Sequence, residues 1–117
     1  MGLSYIEGTV AGPSGEKKTV KFLIDSGATY TVLPQAVWQS LGLEPTRSVT
    51  CILADGTTIE RRVSECHLSL AQGSGHTPVI LGEDKDEALL GAVTLEIFGL
   101  VLNPFSRTLQ PMRMMMA

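Results

Sequence analysis

Glycine and proline recur along the whole 117-residue chain, which contains 12 Gly and 6 Pro, and they divide it into short segments. Most segments between them are rich in Val, Ile, Thr and Leu, and several alternate between apolar and polar residues. Such segments favour β-strands, and frequent turn residues favour many short strands. The sequence therefore predicts an all-β domain with a closed, barrel-like arrangement and one or two short helices.

The expected elements follow from these turn signals. The helical spacing of Val37, Trp38 and Leu41, after Pro34 and before Gly42, predicts the first helix. Asp55-Gly56 between two β-favouring runs predicts a hairpin, and a Gly-rich turn is expected over 71–75. Strands are predicted over 5–10, 18–24, 31–33, 49–53, 58–63, 65–70, 76–81, 100–102 and 108–110, and helices over 35–41 and 92–98.

Length and composition restrict the possible functions. The chain fits a single domain over 1–111, followed by a Met-rich tail over 112–117. A net charge of −3 argues against a nucleic-acid partner, and no apolar stretch is long enough to span a membrane. Without a recognisable signal peptide, a cytoplasmic location is expected. Cys51 and Cys66 are then expected to stay reduced and to serve as packing residues.

The segment of greatest chemical interest places an aspartate directly after a buried strand. Asp25 follows an apolar run, Phe22-Leu23-Ile24, and precedes the small residues Ser26, Gly27 and Ala28. A carboxylate in apolar surroundings is costly unless hydrogen bonds or a partner compensate, and functional acids often occupy such positions. The alternative is an aspartate that only caps its own turn. A serine-hydrolase role for Ser26 is not supported, because no Gly-x-Ser-x-Gly motif surrounds it.

The neighbours of Asp25 suit catalysis by a pair of carboxylates. Two carboxylates about 3 Å apart share one proton. One of them then acts as a base on a water molecule, and the other donates a hydrogen bond to the substrate carbonyl. Gly27 has no side chain and allows two such loops to approach closely, and its N–H could orient the carboxylate. Ser26 offers a hydroxyl that can tie one loop to the other, and Ala28 leaves room for a substrate.

This string resembles the active-site motif of the retropepsin-like aspartic peptidases, which carry Asp-Thr/Ser-Gly-Ala after an apolar strand. Here Leu23 to Thr29 is followed by Thr31-Val32-Leu33-Pro34. Ala54 to Thr57 lies where those proteins place the flap, a hairpin that closes over the substrate. Leu89-Leu90-Gly91 is similar to their apolar-apolar-Gly element, which supports the catalytic loop and precedes a short helix.

The similarity extends over roughly 5–110 and is greatest to small cellular members of the group. Viral enzymes usually continue the apolar-apolar-Gly element with Arg, whereas Ala92 and Val93 follow it here. The salt bridges that such an arginine makes are therefore not expected in this chain.

The resemblance implies a homodimeric aspartic endopeptidase, because the chain carries one Asp-Ser-Gly motif and a dyad needs two. Asp25 is the implied catalytic residue, with a peptide or protein as substrate and neither a metal nor an organic cofactor. The implied supporting residues of the catalytic loop are Ser26, Gly27 and Ala28. The implied flap residues are Ala54, Asp55, Gly56, Thr57 and Thr58. Two alternatives remain: a non-catalytic peptide-binding or dimerisation module on the same fold, and a weak dimer that is mostly monomeric and inactive.

Several other residues have plain structural interpretations. Asp55 is expected to form a turn rather than to act as a second catalytic acid. His67 and His76 lie far apart in sequence, and metal binding would need a converging partner that the sequence does not show. Trp38 is expected to pack, or else to line the outer wall of the site, and Tyr30 is either near a pocket or simply exposed. A solvated acidic loop without calcium-ligand spacing is predicted from Glu83, Asp84, Asp86 and Glu87.

Overall fold

In the computed structural model, which describes residues 3–113 and 116, nine strands and two short helices are present. The strands are β1 (Tyr5–Ala11), β2 (Lys17–Ile24), β3 (Thr31–Leu33), β4 (Arg47–Ile52), β5 (Thr58–Leu70), β6 (Gly73–Leu81), β7 (Leu89–Leu90), β8 (Leu100–Asn103) and β9 (Thr108–Pro111). The helices are α1 (Gln35–Ser40) and α2 (Ala92–Ile97). Within the described residues, neither is long and apolar enough to cross a membrane. The predicted tail over 112–117 includes positions 114, 115 and 117, which lie outside the described residues.

The strands form a closed ring. A seven-stranded sheet runs in the order β1, β2, β7, β3, β6, β5 and β4, and an additional pairing of β1 with β5 closes the ring and leaves β4 outside it. β2 and β7 are parallel, as are β3 and β6, whereas the other pairs are antiparallel. β8 and β9 form a separate two-stranded sheet. The predicted all-β fold with short helices is confirmed.

The core is built from strand residues that alternate between the inside and the outside of the ring. In β2, Val20, Phe22 and Ile24 are buried, whereas Lys21 is exposed. Each large apolar side chain that is removed from water contributes about 1.5–3 kcal/mol. The largest fully buried apolar side chains are Phe22, Leu33, Leu41, Leu68 and Leu90. The end of β2 is therefore fixed by its buried side chains, and Asp25 directly follows it.

Helix α1 packs as its spacing predicts. Val37 and Trp38 lie against the core, and the Trp38 indole N–H donates to the Gly82 carbonyl at 2.7 Å. Gly42 has a φ of +68°, which suits a glycine that ends a helix. The interpretation of Trp38 as a packing residue is thus confirmed.

The Gly-rich turn predicted over 71–75 is present but shorter, because β6 already begins at Gly73. Gly73 pairs with Leu70, and Gly75 pairs with Leu68. A Cβ at Gly75 would lie 3.4 Å from the Phe98 ring, which is an ordinary packing distance, so Phe98 packs beside this position of the strand. The two strands predicted over 58–63 and 65–70 are likewise one continuous strand, β5.

The sequence shows no converging partner for His67 or His76, but the structure brings the two histidines together. The two residues are direct cross-strand partners in β5 and β6, and their ring centres are 5.2 Å apart. The pairing of the two strands brings them together across the short turn that connects these strands.

Candidate active site

The loop that carries Asp25 crosses the end of a short central strand. Leu89 of β7 pairs with Leu23 of β2 on one side and with Val32 of β3 on the other. The chain must therefore pass over β7 between the end of β2 and the start of β3. The Asp25 amide donates to the Leu90 carbonyl at 3.0 Å, which fixes the start of the loop on β7.

The loop turns tightly around the Asp25 carboxylate. The Gly27 N–H donates to Asp25 Oδ1 at 3.0 Å, and the Ala28 N–H donates to the Asp25 carbonyl at 3.1 Å. The carboxylate is therefore oriented by the backbone that follows it. Asp25 is half-buried, while Ser26 and Gly27 are exposed. The apolar flanks predicted deeper burial of the aspartate, which is wrong for the single chain, because the loop lies on its surface.

The element Leu89-Leu90-Gly91 and the start of α2 support the Asp25 loop through backbone hydrogen bonds. The Ala92 amide donates to the Ala28 carbonyl at 2.8 Å, and the Val93 amide donates to the Thr29 carbonyl at 2.9 Å. A Cβ at Gly91 would lie 2.6 Å from the Tyr30 carbonyl oxygen, so only glycine fits beneath the loop. The predicted supporting role of this element is confirmed by these contacts.

A buried network of threonines, which the sequence analysis missed, continues this support. Thr94 Oγ1 lies 2.6 Å from Thr31 Oγ1 and 2.7 Å from Thr77 Oγ1, and all three residues are buried. Thr31 Oγ1 also accepts the Gly91 N–H at 3.0 Å. Thr31 and Thr77 lie in strands and Thr94 lies in α2, so nothing in the spacing of these residues pointed to their contact.

The hairpin that joins β4 to β5 has an ordered tip. The Gly56 N–H donates to the Leu53 carbonyl at 2.9 Å, and Gly56 has a φ of +89°. Asp55 Oδ1 accepts the Thr57 hydroxyl at 2.6 Å and the Thr57 N–H at 3.0 Å. These two bonds, the hydroxyl bond foremost, lower the pKa of the Asp55 carboxyl from its ordinary value. The prediction that Asp55 forms a turn is confirmed.

A cavity of about 490 Å³ lies between the Asp25 loop and this hairpin. Gly27 and Ala28 line it from the loop, and Ile52, Leu53 and Ile59 line it from the hairpin. The hairpin tip, formed by Ala54, Asp55, Gly56, Thr57 and Thr58, is exposed and does not itself line the cavity. The hairpin is therefore where the sequence predicts it, but it reaches the cavity through residues outside the predicted tip. The signal that could have found them is the apolar residues on both sides of the turn, Ile52 and Leu53 before it and Ile59 after it.

Tyr30 connects the loop to β4 across this cavity. It lines the cavity, and its hydroxyl accepts a hydrogen bond from Arg47 Nη2 at 3.0 Å. The Arg47 guanidinium also lies 5.6 Å from the centre of the Tyr30 ring. Of the two alternatives for Tyr30, the structure supports a place beside a pocket. Cys51 also lines this cavity, whereas Trp38 does not.

The acidic loop after β6 forms part of the rim. Asp86 Oδ2 accepts the Glu83 N–H at 2.6 Å, and the Glu83 carboxylate lies 3.4 Å from Arg61. Asp86 and Glu87 line the cavity, and Glu83, Asp84 and Glu87 are exposed. Across residues 3–113 and 116, no group of three or more His, Cys, Asp or Glu side chains converges as metal ligands.

The ring of strands with this loop is the fold of the aspartic proteases. The chain is similar to EIAV protease complexed with the inhibitor HBY-793, at a TM-score of 0.61 and 16% identity over 84% of this chain and 89% of that one. The retroviral protease-like domain of Ddi1 from Leishmania major matches with a TM-score of 0.59 and 15% identity, over 95% and 89% of the two chains. Simian Foamy Virus (mac) protease matches with a TM-score of 0.56 and 18% identity, over 79% of this chain and 91% of that one.

The family is set by a match of the sequence itself. Residues 13–96 match the family described as "gag-polyprotein putative aspartyl protease". The chain therefore belongs to this family of retropepsin-like aspartic proteases. No curated protein sequence matches the chain.

Proposed function

We propose that this chain is a homodimeric aspartic endopeptidase whose active site contains Asp25 from each of two copies. The observation that carries the proposal is the placement of Asp25. Its carboxylate is oriented by the Gly27 N–H, at the end of a buried strand, on a loop that is exposed beside a large apolar cavity. A structural aspartate that only capped its turn would not need the cavity or the buried support beneath the loop.

The second carboxylate is supplied by a second copy of the chain. Asp-Ser-Gly occurs once in the sequence. Asp55 is bonded to Thr57 at the hairpin tip, and Asp86 is bonded to the Glu83 amide. A two-fold axis beside the Asp25 loop would bring the two Asp25 side chains together in an isologous interface.

The surface around the loop supports such an interface. Leu3 and Tyr5 are 67% and 44% exposed, and they stand beside the end of β2, where the Ile24 amide bonds to the Ser4 carbonyl. Ile97 of α2 is 51% exposed, on the helix whose first residues bond the loop. Apolar side chains on both flanks of the loop would be removed from water in the dimer.

The proposed reaction uses the dyad as an acid and a base. One Asp25 carboxylate removes a proton from a water molecule, whose oxygen attacks the peptide carbonyl carbon. The other Asp25, which carries the shared proton, donates a hydrogen bond to the peptide carbonyl oxygen. The resulting tetrahedral intermediate collapses when the peptide nitrogen receives a proton and the C–N bond breaks. The products are a carboxylic acid and an amine.

The cavity determines which substrates fit. Ile52, Leu53 and Ile59 present apolar surface toward the loop, so an apolar side chain beside the cleaved bond is favoured. An extended peptide would lie between the hairpin and the loop and bond to backbone groups in the manner of an added strand. Closure of the hairpin would then separate the dyad and its one attacking water molecule from bulk solvent.

The test is digestion of a diverse peptide pool between pH 4 and 7, with cleavage sites read by mass spectrometry. The wild-type chain is expected to cleave, and Asp25→Asn is expected to be inactive while remaining folded and dimeric. Retained cleavage by Asp25→Asn would contradict the mechanism. Absence of cleavage by a wild-type chain that is shown to be folded and dimeric would favour a peptide-binding module instead.

A further inference from the structure

The cross-strand pair His67 and His76 has no role in the proposed reaction. Both residues lie on the rim of a second cavity of about 470 Å³, which shares no lining residue with the cavity beside Asp25. They are the only histidines in the chain. We propose that His67 and His76 together bind one zinc ion on the outer face of the sheet, with water completing its coordination.

The spacing of the two rings suits a tetrahedral metal. A zinc–nitrogen bond is about 2.0–2.1 Å, which places the ring centre about 3.2 Å from the metal. Two such rings at a tetrahedral angle have centres about 5.2 Å apart, and the observed separation is 5.2 Å. His76 is exposed and His67 half-buried, so at least one ring is free to turn its nitrogen toward a shared ion.

The backbone already holds the pair in register. His67 and His76 are directly opposite each other in the antiparallel ladder between β5 and β6, where side chains point to the same face. The ladder continues on both sides of the pair, from Arg62 opposite Leu81 to Leu70 opposite Gly73. Binding of a metal by both rings therefore requires no further ordering of the backbone.

The charges around the second cavity favour a cation. Glu44 and Glu65 line it, and neither Lys nor Arg is among its lining residues. Glu65 stands two positions before His67 in the same strand, on the same face. The buried Cys66 is not a ligand, because it neighbours His67 in the strand and its side chain therefore points to the opposite face, into the core.

Two protein ligands give a weaker site than the four that structural zinc centres use. The ion would tie β5 to β6 and so stabilise the folded state by mass action. β5 also forms the returning strand of the hairpin beside the active site. The zinc is proposed to stabilise the long hairpin of β5 and β6 and has no part in bond cleavage.

The test is isothermal titration calorimetry of the untagged chain with zinc sulfate, combined with thermal unfolding. One zinc ion per chain is expected to bind, and Tm is expected to rise by about 5–10 °C at zinc concentrations about a hundredfold above the Kd. His67→Gln and His76→Gln should each weaken binding at least tenfold. Because His76 is exposed, His76→Gln should unfold at the wild-type temperature in the absence of zinc.

Two controls isolate the pair. Ser74→Gln lies on the same face of β6 and should bind zinc as the wild type does, and so should Cys51→Ser, which removes the half-buried thiol in the other cavity. Loss of binding in Cys51→Ser instead of His76→Gln would overturn the proposal. So would unchanged zinc affinity in both histidine variants, or no Tm shift in the wild type even at millimolar zinc.

Discussion

The Thr31 hydroxyl accepts a hydrogen bond from the Gly91 amide at 3.0 Å, although the two residues are 60 positions apart in sequence. Thr31 begins the strand that follows the Asp25 loop, and Gly91 precedes the helix whose first amides bond that loop. The same hydroxyl meets Thr94, which in turn meets Thr77. The position of the Asp25 loop therefore depends on a buried polar network beneath it.

Removing the central hydroxyl of this network should destabilise the fold. Thr94→Val keeps the shape of the side chain but leaves the buried hydroxyls of Thr31 and Thr77 without a shared partner. The expected loss is about 1–3 kcal/mol in the free energy of unfolding, measured by urea denaturation. The control is Thr19→Val, at an exposed position in β2, which should change stability by no more than about 0.5 kcal/mol. Equal stability of the two variants would mean that the network contributes nothing.

Adding one methyl group at Gly91 should displace the Asp25 loop. A Cβ there would lie 2.5 Å from the Tyr30 carbonyl carbon and 2.8 Å from the Thr31 nitrogen, and these backbone atoms cannot rotate away. The φ of Gly91 is −95°, which any residue adopts, so crowding alone produces the effect. Gly91→Ala should lose about 1–3 kcal/mol of stability together with peptidase activity.

The matched control for this change is Gly73→Ala. No atom lies within 4 Å of a Cβ at Gly73, so this variant should retain both its Tm and its activity. Thermal unfolding and peptide cleavage would be measured side by side. An active Gly91→Ala enzyme with wild-type stability would contradict the tight packing of the loop on Gly91.

The hairpin tip should stay ordered into acidic solution. The Thr57 hydroxyl and amide lower the pKa of Asp55 below its ordinary value of 3.8. A lowered pKa in the folded state means that the stabilisation is present above 3.8 and is lost as the pH falls through the lowered value. A pH titration of the Thr57 amide signal by NMR should therefore show a midpoint below 3.8.

Two substitutions at Asp55 separate the roles of its charge and its hydrogen bonds. Asp55→Asn keeps an acceptor for the Thr57 amide and should retain an ordered tip. Asp55→Ala removes the acceptor and should speed amide exchange at the tip. A pH titration of the Thr57 amide signal with its midpoint at or above the ordinary aspartate pKa would contradict the observed contacts.

The two cysteines should differ in reactivity. Burial raises the pKa of the Cys66 thiol to about 12, with the Glu65 charge adding to the effect, so the thiolate is scarce at pH 8. Cys51 is half-buried and lines the cavity beside the active site. Iodoacetamide should label Cys51 in the native chain and both cysteines after unfolding, as read by peptide mass spectrometry. Equal labelling of both in the native state would show that Cys66 is not enclosed.

Local structure that depends on consecutive residues was predictable from the sequence. The apolar run before Asp25, the small residues after it and the Asp-Gly turn each specify their local structure within a few positions. The strand that leads to Asp25, the turn around it and the hairpin after β4 were therefore located correctly. The tight turn at the hairpin tip follows from Asp55, whose side chain bonds the backbone two residues later.

Features that depend on distant pairing were not predictable. Gly73 and Gly75 signal a turn locally, but pairing with β5 holds them in a strand. The contact of His67 with His76 likewise depends on the register of two strands. The exposure of Asp25 was misjudged for a related reason: apolar neighbours in sequence do not tell whether a loop ends inside a chain or on its surface.

The central claim is that two chains share one catalytic centre, and subunit mixing tests it most directly. Wild-type chain would be mixed with a threefold excess of Asp25→Asn, allowed to exchange, and assayed for peptide cleavage against a mixture with an unrelated carrier protein. If two copies of Asp25 are required, random pairing leaves each wild-type chain with about one quarter of its activity. Activity per wild-type chain that is unaffected by the excess would show that a single chain is catalytically complete, and would contradict the account.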